Sequence, residues 1–420
     1  MKFYFERRFL PLFVTQFFGA FNDNLFKNAL VVIYVYNLSR GELVPIAAGV
    51  FILPFFLFSA SAGVWADKSE KASFIRNIKL IEIIIMLLAL ALFLIDAPLL
   101  QLFVLLLMGI QSAIFGPVKY SMLPSVLSET ELVPGNTYFN VATFLAILLG
   151  TIMGSLVVTE QGGPRLVGVI LVVCAIIGWV AALFIPELKS KLKVKEDERG
   201  PEIRIFTAMF RECGKVFVVP YQRNLVIAVS WFWFIGASML SQLPRLVSEN
   251  LHANNEVYIL FLCIFTIGVG IGGKICNMLF KVPGLWMFVP SLIMLTVGIV
   301  LFYFMTILLG STAQTGEMLN IPGFMADISS WMLLGTLLLI SVAAGMMVIP
   351  VFSMMQQSAS PEERSTTIGV NNIVNALFMV VSAGVMIILD LVGFKIPEIM
   401  LIMGLFNIPF LIWWKLQSMK

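Results

Sequence analysis

An aspartate and a lysine stand one helical turn apart inside an apolar run. The stretch Phe21-Asn22-Asp23-Asn24-Leu25-Phe26-Lys27-Asn28 lies within residues 9–37, which are otherwise hydrophobic enough to enter a bilayer. An ionisable side chain at that depth costs at least about 2.5–3.5 kcal/mol on insertion scales, so its presence points to a pathway for something polar. Gln16, Ala20, Asp23 and Lys27 follow at steps of four, three and four. They share one helical face and form a polar stripe among phenylalanines. Asp23 precedes Lys27 in the favoured acid-first i, i+4 order, so the two can neutralise each other within one helix. They read either as a structural ion pair or, more strongly, as substrate contacts in a hydrated cavity. Asn22, Asn24 and Asn28 point in different directions, and at least one of them is expected to bond a neighbouring helix.

Further basic groups stand beside polar residues. Lys119 closes the expected fourth span, and Arg245 lies near the outer end of the seventh, after Ser238, Ser241, Gln242 and Pro244. Each reads equally as an interfacial anchor. One carboxylate with basic groups on the first, fourth and seventh helices suits a zwitterionic or phosphate-bearing ligand. Asp23 would take an ammonium, and Lys119 and Arg245 a phosphate. Glu82, in the third span, reads as structural or functional. Catalysis has little to work with: a membrane acyltransferase uses a histidine base with an aspartate five residues on, whereas the single His252 is followed at that distance by Val257. The four cysteines have no CxxC spacing and give no metal or disulfide framework. No enzyme activity, cofactor, metal or nucleic-acid partner is expected, and the chain reads as a monomer.

The elements that hold these groups follow from composition. The chain has 420 residues, 60% hydrophobic and 12% charged, where a soluble domain carries about 25% charge. Continuous apolar runs exclude an outer-membrane barrel, and the first is too long and too charged for a cleavable signal. The expectation is an all-α integral membrane protein of twelve spans, roughly 9–37, 43–66, 76–95, 98–118, 136–158, 164–186, 221–247, 255–280, 284–309, 328–350, 366–391 and 395–416. Lys189, Lys191, Lys193, Lys195 and Arg199 crowd the polar stretch 187–220, where Ile203, Phe206 and Phe210 with Arg204, Arg211 and Lys215 suggest an amphipathic surface helix. Of 27 Lys and Arg residues, 21 fall on the side of the termini, the four around Asp67 including Lys79, and three (Arg40, Arg165, Lys395) fall opposite. Both termini are therefore expected in the cytoplasm.

The chain also repeats itself. Pro117, Glu129, Asn136 and Asn140 recur as Pro350, Glu362, Asn371 and Asn375, at shifts of 233 to 235 residues. With the central linker, this argues for two pseudo-symmetric six-helix bundles, 1–186 and 221–420, the layout of major-facilitator transporters. The stretch Gly63-Val64-Trp65-Ala66-Asp67-Lys68-Ser69-Glu70-Lys71 resembles the major-facilitator loop signature G-x-L-A-D-R-x-G-R, with Trp65 and Glu70 departing from it. That resemblance implies Asp67 as the acid of a gating latch, with Lys68 and Lys71 as its basic members.

At FNDNLFKNAL in the first helix and FGPVKYSMLP after the fourth, the sequence is similar to the bacterial lysophospholipid transporter family over essentially its whole length. The resemblance implies inward movement of lysophosphatidylethanolamine and related lysolipids across the bacterial inner membrane. A separate lysophospholipid acyltransferase would then re-acylate them. Family headgroup contacts map onto Asp23, Lys119 and Arg245, and Asn24, Lys27 and Asn140 join them as candidates. The competing expectation is a proton-coupled exporter of amphiphilic small molecules, with Asp23 or Glu82 cycling its proton.

Overall fold

The computed structural model describes residues 3–34, 38, 43–95, 97–158, 160–187, 205–279, 287–312 and 318–418. Among them the chain is almost wholly helical; the only β pairing is an isolated bridge between Ala253 and Leu319. Lys189, Lys191, Lys193, Lys195, Arg199, Ile203, Arg204 and Arg40 lie outside the described residues.

The helices gather into two compact units. The first comprises residues 1–135, 142–223 and 356–376. It holds α1 (Leu10–Val32), α2 (Leu43–Lys68), α3 (Lys71–Leu94), α4 (Gln101–Val126), most of α5 (Glu129–Val158), α6 (Gly163–Leu183) and α7 (Ile205–Val218). The second comprises residues 136–141, 224–355 and 377–420. It holds most of α8 (Pro220–Arg245), α9 (Asn255–Leu279), α10 (Phe288–Thr312), the short α11 (Ile321–Met325), most of α12 (Ile328–Ser358), the later part of α13 (Arg364–Val392), α14 (Ile396–Leu405) and α15 (Asn407–Ser418).

Local chemistry sets several boundaries. Pro11, Pro164 and Pro397 open α1, α6 and α14, where a missing N–H is harmless. The Glu70 carboxylate caps α3, accepting from the N–H groups of Ala72 (3.0 Å) and Ser73 (2.6 Å). The repeated prolines Pro117 and Pro350 both sit inside helices, α4 and α12. In the first unit α2 packs on α4, and α6 packs on both α1 and α3. Leu25, Phe26, Leu30, Leu105, Met108 and Leu171 are buried in the shared core. Gly150 and Gly154 on α5 form a GxxxG step that lets the α1 backbone come close: a Cβ on Gly150 would lie 2.6 Å from the Phe21 carbonyl oxygen. In the second unit the indole of Trp231 stacks on Phe410 at 4.0 Å and donates to Asn407 Oδ1 at 2.8 Å.

Eleven stretches among the described residues are long and apolar enough to cross a membrane. They match the last eleven expected spans; α1 is the twelfth. At 23 residues it has the length, but Gln16, Asn22, Asp23, Asn24, Lys27 and Asn28 dilute its apolar character. The chain is a multi-pass helical membrane protein. Several details differ from the sequence reading. α4 continues through Tyr120-Ser121-Met122-Leu123 to Val126, so Lys119 lies inside a helix and not at its end. α5 begins at Glu129, seven residues before the expected start of the fifth span. The last span breaks at Phe406 into α14 and α15. Lys79, counted with the loop charges, is 1% exposed within α3.

Candidate functional site: a polar seam in the first unit

Two polar rungs join α1 to α4. Lys119 Nζ donates to Gln16 Oε1 at 3.0 Å, and Ser112 Oγ donates to Asp23 Oδ2 at 2.8 Å. Gln16 to Asp23 and Ser112 to Lys119 are both seven-residue steps, so the helices run antiparallel in register. The two charges lie two turns, about 10 Å, apart along the seam. Gln16 Nε2 donates onward to Thr143 Oγ1 on α5 at 2.7 Å. Asp23 and Lys119 are half-buried, and each bonds a neutral side chain across the seam. Phe115 and Tyr120 flank the Lys119 ammonium, each ring centroid 5.2 Å away. Aromatic faces can balance a desolvated cation without neutralising it.

The expected Asp23–Lys27 pairing is not made. Lys27 Nζ instead lies over the Phe51 ring of α2, 4.5 Å from its centroid, while Asp23 turns to Ser112 on α4. Different neighbouring helices draw the two side chains apart. The remaining asparagines divide as one helical surface requires. Asn22 reaches the Leu171 carbonyl of α6 at 3.1 Å, and Asn28 reaches the Thr151 carbonyl of α5 at 2.7 Å and also Ser155 Oγ. Asn24 donates to Ala20 O and Asn140 to Asn136 O, each within its own helix.

Asp67, at the end of α2, holds the first turn of α13. Its Oδ1 accepts from Ser365 N–H at 2.9 Å; its Oδ2 accepts from Thr366 N–H at 2.8 Å and Thr366 Oγ1–H at 2.9 Å. Lys71 Nζ lies 3.9 Å from the same carboxylate, and both side chains are largely buried. A carboxylate on the free N–H groups of a helix start is favoured by hydrogen bonding and by the helix dipole. Lys68 is exposed. Arg245 belongs to the second unit, where it pairs with Glu249 at 3.1 Å and Asp390 at 3.6 Å at the end of α8.

Sequence reasoning missed a fully buried ion pair: Lys79 Nζ to Glu82 Oε2 at 2.5 Å, the side chains 1% and 4% exposed. A signal was present. Ile75, Ile78, Lys79, Glu82, Ile85 and Met86 follow the inward stripe of α3, which places both charges on the buried face.

Outside the membrane spans, Glu212 of α7 is buried and bonded to Lys215 Nζ (2.8 Å) and Arg211 Nε (2.9 Å). Burial alone would raise its pKa, but the two basic partners outweigh it and hold the carboxyl below its ordinary value.

Opposite charges set in a seam between membrane spans mark a place where something polar is handled inside the bilayer. The Major Facilitator Superfamily model matches residues 12–383, which makes the class a transporter, and the chain belongs to that superfamily. It is 23% identical over 352 residues to the lysophospholipid transporter LplT of Photorhabdus laumondii, covering 82% of this chain and 79% of that one. It is 25% identical over 241 residues to the LplT of Cronobacter sakazakii, spanning only 56% of each protein. Its fold is shared with the Escherichia coli transporter FucP in the outward conformation (TM-score 0.70, 14% identity, 98% and 99% of the two chains). A bacterial homologue of the iron transporter ferroportin shares it as well (TM-score 0.69, 14% identity, 97% and 98%).

Proposed function

We propose that this protein moves lysophosphatidylethanolamine and related lysolipids inward across a bacterial inner membrane, by alternating access of the halves 1–186 and 221–420. The observation that carries this reading is the α1–α4 seam. A half-buried carboxylate and a half-buried ammonium stand two turns apart, each bonded to a neutral side chain. A zwitterionic headgroup offers the matching charges: its ammonium goes to Asp23 and its phosphate to Lys119, with Lys27 beside them. Asn24, Asn140 and Arg245 are further contacts in this reading. The relatives' names add the lipid class. The acyl chain follows an apolar route, at about 0.8 kcal/mol per buried CH₂.

Asp67 with Lys71 acts as the gating latch by holding the start of α13, and Lys68 supplies surface charge beside it. Both termini lie in the cytoplasm, the protein works as a monomer, and a separate acyltransferase re-acylates the delivered lysolipid.

The test is uptake of labelled lysophosphatidylethanolamine by proteoliposomes containing only this protein, beside Asp23→Asn and with an uncoupler. Uncoupler-insensitive uptake that the substitution sharply weakens supports the reading. A folded wild-type protein that moves no lysolipid refutes it. Uptake that collapses with the uncoupler would favour a proton-coupled carrier of amphiphiles.

A further inference from the structure

The Lys79–Glu82 pair lies too deep to meet a substrate, yet it sits directly behind the seam. The Glu82 carboxylate has three donors: Lys79 Nζ at 2.5 Å, Gln111 Nε2 at 3.0 Å and Asn22 Nδ2 at 3.2 Å. Asn22 and Gln111 immediately precede Asp23 and Ser112, the two residues that bond each other across α1 and α4. Only an acceptor-only carboxylate can take all three donors together. Glu82 therefore grips both helices one residue before the rung they form. A second link runs through side chains: Ser112 Oγ, bonded to Asp23 at 2.8 Å, also lies 3.2 Å from Gln111 Oε1. One hydroxyl proton serves one acceptor at a time, so the Gln111 amide, oriented by Glu82, bears on how fully Ser112 serves Asp23.

Lys79 makes this arrangement tolerable inside the membrane. It supplies the counter-charge, and its ammonium lies 4.2 Å from the Phe115 ring centroid. The α1 backbone leaves room for it: a Cβ on Gly19 would lie 2.5 Å from Lys79 Nζ. Gly19 is one turn before Asp23, so α1 carries both the space for the counter-charge and the acid being positioned.

We infer that Glu82, held by Lys79, is a positioning residue that sets the Asp23–Ser112 rung and thereby the affinity for the ammonium of the headgroup. The inference rests on the lysolipid reading above. A purely structural ion pair makes a different prediction, because replacing both members of a buried pair by apolar residues commonly preserves stability.

The experiment measures concentration-dependent lysophosphatidylethanolamine uptake in proteoliposomes, together with thermal unfolding. The proteins are wild type, Glu82→Gln, Lys79→Met/Glu82→Leu, Asp23→Asn and Asp23→Asn/Glu82→Gln. In Glu82→Gln the apparent KM rises about tenfold, equivalent to about 1.4 kcal/mol. The apolar double variant unfolds near the wild-type temperature and keeps the KM defect. In the Asp23→Asn background, Glu82→Gln adds less than about twofold, because both changes disable the same rung. Restoration of wild-type KM in the apolar double variant would overturn the inference, as would full additivity of the Asp23 and Glu82 substitutions. Wild-type protein that moves no lysolipid would instead remove the underlying reading, and it is separately visible.

Discussion

Replacing Asp67 by asparagine changes one heavy atom and tests the proposed latch at its anchoring point. Oδ2 accepts from both the N–H and the hydroxyl of Thr366, at 2.8 and 2.9 Å. With the substituted amide oriented so that its carbonyl keeps Ser365, an NH₂ group faces those two donors. The Thr366 hydroxyl can rotate to accept, but its backbone N–H is left without a partner, at a cost of about 1–3 kcal/mol. Loss of the anion from the start of α13 adds about 0.3–1 kcal/mol. Lys71, 3.9 Å away and 12% exposed, loses its counter-charge as well. Together the first turn of α13 should open about 2–4 kcal/mol more easily. At tenfold per 1.4 kcal/mol, amide exchange there accelerates about 30- to 1,000-fold. Hydrogen–deuterium exchange by mass spectrometry, in lipid nanodiscs, reads this on a peptide containing Ser365 and Thr366. A change below about threefold in a folded protein would refute the reasoning, and so would an equal acceleration in every helix.

Other perturbations follow from the same contacts. Gly150→Ala puts a Cβ 2.6 Å from the Phe21 carbonyl. Backbone cannot step aside as a side chain can, so about 1–3 kcal/mol is lost, and a thermal melt shows it. Trp231→Ala removes the Phe410 stack and the Asn407 bond and should destabilise the second unit by about 3–5 kcal/mol in denaturant titrations. Lys119→Met keeps the side-chain length without the charge; uptake should fall at least about tenfold while the melting temperature holds within a few degrees. Glu212 stabilises α7 fully above its unfolded pKa of about 4.5. Because its folded pKa is depressed, that contribution is lost as pH falls from there through the folded value. Proteolysis around Ile205–Val218 should quicken in that window in wild type and be equally fast at neutral pH in Glu212→Gln.

The span pattern was legible because each crossing needs about 20 apolar residues, a signal carried by the segment itself. The polar face of α1 was legible for the same reason: Gln16, Asp23 and Lys27 recur at helical spacing. Their partners were not. The i, i+4 order placed Asp23 against Lys27, yet Ser112 and Phe51, brought in by α4 and α2, took the two side chains. Local spacing knows nothing of helices that arrive from elsewhere in the chain. Lys79 shows a second blind spot. Near the end of a span, a lysine in sequence looks like loop charge, and only its place on the inward stripe of α3 betrays its burial. Asp67 stood out through its motif, while the donors it accepts from, Ser365 and Thr366, lie nearly 300 residues on.

The bond from Asn22 to the Leu171 carbonyl spans 149 residues. In a chain inserted as it is made, the first helix therefore enters the membrane carrying amides, an acid and a base whose partners do not yet exist. Phe51, Glu82, Ser112, Thr151 and Leu171 appear in later spans. At about 5–20 residues per second, α6 follows Asn22 by about 7–30 s. α1 is made before its partners and completed late, so ribosome-bound chains truncated before α6 should leave α1 loosely inserted and open to degradation.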